Sequence, residues 1–84
     1  METRVGKITH YYDHISVAVL ELYGELKVGD TIHIHGRSTD ITQLIDSLEI
    51  EHQKIQSAGP GAEVALKVSA PVREGDILYL VKEE

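Results

Sequence analysis

The chain has 84 residues, 42% hydrophobic and 26% charged, with no cysteine and a formal charge of −6. That composition is expected of one globular domain, 1–84, with no disulfide framework, no thiolate metal site and little tendency to condense on a polyphosphate backbone. No stretch approaches the roughly 18 apolar residues of a membrane span, and no amino-terminal apolar run suggests export, so a cytoplasmic protein without membrane contact is expected.

In chain order, residues 4–9 and 14–22 are rich in β-branched and apolar side chains, and the polar link Tyr11-Tyr12-Asp13 between them makes a hairpin. Tyr11 and Tyr12 at its tip are candidate partner contacts, because Tyr offers a large rigid surface with one polar end. A repeat follows: Leu26-Lys27-Val28-Gly29-Asp30 and, later, Val72-Arg73-Glu74-Gly75-Asp76, each leading into an apolar strand. Gly suits a turn that needs positive φ, and the Asp carboxylate can bond a neighbouring backbone N–H, so Gly29, Asp30, Gly75 and Asp76 are structural turn residues. Thr31–His35 alternates, with Ile32 and Ile34 on one face and His33 and His35 on the other. Gly36-Arg37-Ser38 is a turn.

Residues 39–55 are ambiguous. Ile41, Leu44, Ile45 and Leu48 follow helical spacing, whereas the β-branched content and the later alternation of Leu48 and Ile50 favour a strand with a bulge near Asp46-Ser47. Beyond it, Gly59-Pro60-Gly61 enters a strand over 62–69, with Gly61 a further turn residue, and Ile77–Val81 is the last strand. Lys82-Glu83-Glu84 is a solvated end.

The order of Gly6-Lys7-Ile8, then Leu26 to Asp30, then Ala58-Gly59-Pro60-Gly61-Ala62-Glu63-Val64-Ala65-Leu66, then Arg73-Glu74-Gly75-Asp76, resembles the second domain of translational GTPases such as elongation factor Tu and the bacterial initiation factors. The resemblance implies an all-β, closed six-stranded antiparallel barrel and makes 39–51 a strand. Similar barrels also occur as appended domains in RNA-modifying enzymes and in a collagenase-like peptidase family. The family's nucleotide domain, with its phosphate loop, is not expected within these 84 residues. Gly6-Lys7 is no Walker motif, since Met1 and Ile8 stand where Gly and a hydroxyl residue belong, so no nucleotide is expected. The family's pocket for the 3′ adenosine of aminoacyl-tRNA aligns with Leu48-Glu49-Ile50-Glu51-His52-Gln53. There Glu49 matches, Glu51 replaces an aromatic residue and His52 replaces Arg, which makes Glu49 and His52 candidate contacts.

There is no Cys nucleophile and no G-x-S-x-G elbow, and a small barrel fills its interior with its own side chains. The expected function is therefore non-catalytic and without cofactor or metal: a stand-alone translation-type module contacting a protein or ribonucleoprotein partner in translation or RNA processing. Direct RNA contact would need Arg4, Lys7, Arg37, Lys54 and Lys67 to converge. The alternative, favoured by acidity, is a protein-directed adaptor or homo-oligomer building block without RNA contact. A third reading is metal binding by His33 with His35, or by His10 with His14.

Overall fold

The computed structural model describes residues 2–82; Met1 and the expected solvated Glu83 and Glu84 lie outside them. The described residues form ten strands and no helix: β1 (Glu2–Tyr12), β2 (Val17–Leu22), β3 (Leu26–Lys27), β4 (Thr31–His35), β5 (Asp40–Leu44), β6 (Leu48–Ile50), β7 (Gln53–Ile55), β8 (Ser57–Ala58), β9 (Glu63–Lys67) and β10 (Ile77–Val81). One eight-stranded antiparallel sheet runs β5-β4-β10-β1-β2-β9-β6-β7, while β3 and β8 pair separately. Among the described residues no helix is long and apolar enough to cross a membrane.

Alternation drives this arrangement. Ala18, Leu20 and Leu22 of β2, Ile32 and Ile34 of β4, Val64 and Leu66 of β9, and Leu78 of β10 are all buried in one cluster with Val5, Ile8, Leu26, Ile45 and Leu48. Each such Val, Leu or Ile side chain removed from water contributes on the order of 1.5–3 kcal/mol. The two repeated motifs fold alike. Gly29 and Gly75 have φ of 97° and 93°. The Asp30 and Asp76 N–H groups each donate to the carbonyl three residues back, on Lys27 and Arg73, at 3.1 Å. In return their carboxylates accept the Lys27 and Arg73 N–H at 3.1 and 2.8 Å. Positive φ at the third residue is what a type II turn requires, and the Asp side chain closes the turn from the other side.

The expected closed six-stranded barrel is not found. Its ladder stops because the segment expected as one strand over 39–51 splits into β5 and β6, which pair with different neighbours, β4 and β9. Between them Ile45 turns inward and is 1% exposed, its N–H donating to Asp30 and its C=O accepting from Gly29. Across the seam, the Gln43 amide donates to the Lys67 carbonyl at 3.0 Å and accepts the Ser69 N–H at 2.8 Å. Side-chain bonds thus stand where a closed barrel would carry a backbone ladder.

The first hairpin also differs from expectation. β1 extends through Tyr12, so Tyr11 and Tyr12 are strand residues and the turn falls on Asp13-His14-Ile15-Ser16.

Candidate functional site

The outward face of β1, β2, β9 and β6 is built row by row from their register. Tyr12, Val17 and Lys67 form one row; His10, Val19, Ala65 and Glu49 the next; Lys7, Glu21 and Glu63 the third. Outward positions of a half-buried sheet are ordinarily polar. Here Val17, Val19 and Ala65 make an apolar stripe through the middle. It floors a groove of about 840 Å³, walled on one side by Tyr12 and Ile15 and on the other by Ile50, Glu51 and His52. Ile15 is 61% exposed and Tyr12 48%, a large apolar surface for so small a domain.

The wall at β6–β7 is a two-residue turn. Glu51 and His52 have φ of 49° and 67°, left-handed conformations that hairpins usually assign to Asn and Gly. The turn holds the Glu51 and His52 side chains at the groove's rim.

Of the four candidate contacts, Tyr12, Glu49 and His52 line this groove together. Tyr11 does not. It points to the opposite face, packs against the core and lines a separate cleft of about 610 Å³ with Asp13, Ser16 and Ser69-Ala70-Pro71. The sequence reading missed Ile15, Val17, Val19 and Ala65. The signal lay in β2 itself, where Val17 to Leu20 is apolar without a break and must therefore show apolar side chains on both faces.

Of the histidines, His33 and His35 stand side by side on β4 with ring centroids 5.7 Å apart. His10 meets Tyr12 edge-on with ring centroids 4.3 Å apart and faces Glu74 at 3.4 Å, whereas His14 is almost fully exposed beside Asp13. Among the described residues no group of three or more His, Asp or Glu could hold a metal ion. His33 is the engaged one: its Nδ1 lies 3.0 Å from Glu2 Oε1 and its Nε2 2.5 Å from Asp40 Oδ1. Both ring nitrogens can donate at once only as imidazolium. The hydrogen bond to Glu2, then that to Asp40, raises the His33 pKa above its ordinary 6.5, with burial opposing.

A group whose folded pKa is raised contributes stability that is fully present below the unfolded value and lost as pH rises through the folded one. The chain is therefore expected to lose stability as pH rises from below 6.5 through the elevated His33 pKa. His33→Gln should flatten that slope, and urea midpoints taken across this range measure it. Equal slopes in both proteins would show that the clasp of Glu2, His33 and Asp40 contributes nothing.

No family model matches the chain. It is 40% identical over 80 residues to an uncharacterized protease of Methanocaldococcus jannaschii, covering 94% of this chain and 20% of that protein. It is also 36% identical over 80 residues to a collagenase of Porphyromonas gingivalis, covering 93% and 22% respectively. The chain thus spans about a fifth of the length of these curated relatives. The fold matches the solved C-terminal domain of a Geobacillus thermoleovorans protein assigned to the U32 peptidases, with a TM-score of 0.89, 20% identity, and 94% of this chain and 92% of that one covered. A selenomethionine variant of the same domain gives 0.86, at 20% identity, over 90% and 96%.

These findings overturn the resemblance to translational GTPases and the translation-type function drawn from it. They also overturn the expectation of a non-catalytic protein, since the relatives are named as a protease and a collagenase. The error has a physical origin. Gly-Asp turns between apolar strands encode a strand-turn-strand geometry that unrelated functions share. The positions that carry nucleic-acid chemistry in the suspected family, an aromatic and an Arg, are Glu51 and His52 here.

Proposed function

We propose that this chain serves peptide-bond hydrolysis as the β module of a U32-type peptidase, holding the polypeptide in the groove between its two hairpin tips. One observation carries the reading: 40% identity, spread over 94% of the chain, with a protein named as a protease. The groove supplies a physical means. An extended polypeptide laid across β2 and β9 covers Val17, Val19 and Ala65, and the exposed Tyr12 and Ile15 on one side and the half-buried Ile50 on the other grip it. Apolar surface that outward strand positions leave in water is the driving force, and Tyr12 contributes contact area at low entropic cost.

Collagen unfolded by heat is the natural probe, because relatives at 36% identity are collagenases. Fluorescein-labelled gelatin titrated with the 84-residue chain is expected to give a saturable rise in anisotropy. Val19→Asp, which places a charge on the groove floor without touching the inward face, should remove it. Absence of binding by the unmodified chain, or full binding by Val19→Asp, would overturn the proposal.

A further inference from the structure

The charges around the groove are unevenly placed. Glu21 and Glu63 stand directly opposite each other across β2 and β9, an arrangement of like charges that weakens a sheet. Glu49 sits beside Ala65 and so lies diagonal to Glu63, and Glu51 rises from the adjoining turn. None of these four carboxylates makes a side-chain hydrogen bond or ion pair among the described residues. The nearby cations do not engage them. Lys7 is opposite Glu21 and Lys54 opposite Glu49 in the register, yet neither pair forms an ion pair, and Lys67 lies at the far end, in the row of Tyr12 and Val17.

Resting on the reading of the groove as a polypeptide site, we infer that its occupant is a basic segment, with an Arg or Lys lodged between Glu49 and Glu63 and a neighbouring apolar side chain on Val19 and Ala65. Diagonal neighbours on adjacent strands stand on the order of 7–8 Å apart, a gap that a guanidinium spans while donating to a carboxylate on each side. The charge complementarity fixes the class of partner: the groove is apolar along its floor and acidic at one end. An occupant with an acidic residue there would add a fifth carboxylate to Glu21, Glu49, Glu51 and Glu63. The opposed Glu21 and Glu63 also acquire a purpose, because a bound cation relieves their repulsion.

The test uses two soluble, fluorescein-labelled extended peptides of Val, Ser and Arg, the second with Glu at every Arg, each titrated with the chain alongside gelatin. The Arg peptide is expected to bind, with affinity falling as salt rises, and the Glu peptide not to bind. Glu49→Gln with Glu63→Gln keeps the side-chain shape and removes both charges. It should weaken the Arg peptide at least roughly tenfold, the scale of one lost charge-assisted hydrogen bond. The same variant should hold or raise the thermal midpoint, since it removes a like-charge pair, which separates lost recognition from lost fold. Equal binding of both peptides, or an unchanged Arg-peptide affinity in the variant, would overturn the inference while leaving the polypeptide reading intact. If neither peptide nor gelatin binds, both fall together.

Discussion

Replacing Gly36 by Ala is expected to lower the stability of the chain by about 3 kcal/mol, a large effect for the addition of one methyl group. The reason is the Asp76 carboxylate. A Cβ built on Gly36 falls on Asp76 Oδ1, with the carboxyl carbon only 2.7 Å away. Asp76 cannot yield cheaply, being 5% exposed, with its Oδ2 accepting the Arg73 N–H at 2.8 Å and its backbone C=O accepting the Ile8 N–H at 2.8 Å. Displacing it breaks a charge-assisted bond, worth about 1.5–3 kcal/mol, and forces strain of about 1–3 kcal/mol in a packed site. Gly59 is the control. A Cβ there meets nothing within 4 Å, and its φ is not in the left-handed region, so Gly59→Ala should be neutral or stabilise by up to about 1 kcal/mol. Chemical denaturation of the two variants decides the matter, and equal midpoints would show that Asp76 is free to move. Adding Asp76→Ala to Gly36→Ala should cost less than the sum of the two singles, because the residues share one contact.

How much of this was legible in the sequence depends on the range of the interaction involved. Thr31–His35 is read correctly because burial on one face imposes a period of two, and Ile77–Val81 because an apolar run follows the Gly75-Asp76 turn. The turns at Gly29 and Gly75 were visible for a similar local reason. The segment 39–55 was harder, and its helical spacing has a specific cause. Ile41 and Ile45 point inward from β5 and its end, Leu48 points inward from β6, and the interruption between the two strands, 45–47, inserts an odd step. Inward residues at 41, 45 and 48 mimic one face of a helix, while Leu44, the remaining member of that pattern, is 58% exposed. No local rule reveals that β5 and β6 choose different partners, so the open ladder was invisible.

The groove was legible only in part. Tyr12, Glu49 and His52 come together because β2 and β9 bring the two hairpins onto one face, a long-range pairing that spacing does not encode. The function assigned by resemblance failed at the same level. Turn chemistry repeats across families and so does not distinguish one function from another.

The other large effect is expected at the underside of that face. Leu66→Ala should destabilise the chain by about 2–5 kcal/mol, the range for removing most of a buried Leu and leaving a cavity. Leu66 is 1% exposed and stands in register with Ala18 of β2 and Leu48 of β6, so it joins three strands beneath Ala65 and Lys67. For a domain of about this size each 1 kcal/mol moves the thermal midpoint by about 4–8 °C, so the shift should be plain in a melting curve. Leu44→Ala deletes the same atoms from a side chain that is 58% exposed, and should change the midpoint little. Location also predicts where the damage appears first. β6 meets β9 only through Leu48 opposite Leu66 and Glu49 opposite Ala65, whereas β4 and β10 share five register pairs. Amide exchange in Leu66→Ala should therefore accelerate more in β6 and β7 than in β4, and the wall formed by Glu51 and His52 should loosen before the sheet unfolds. Uniform acceleration across all strands would mean that the groove's wall and the rest of the sheet open as one unit, and that the wall has no independent freedom to admit a polypeptide.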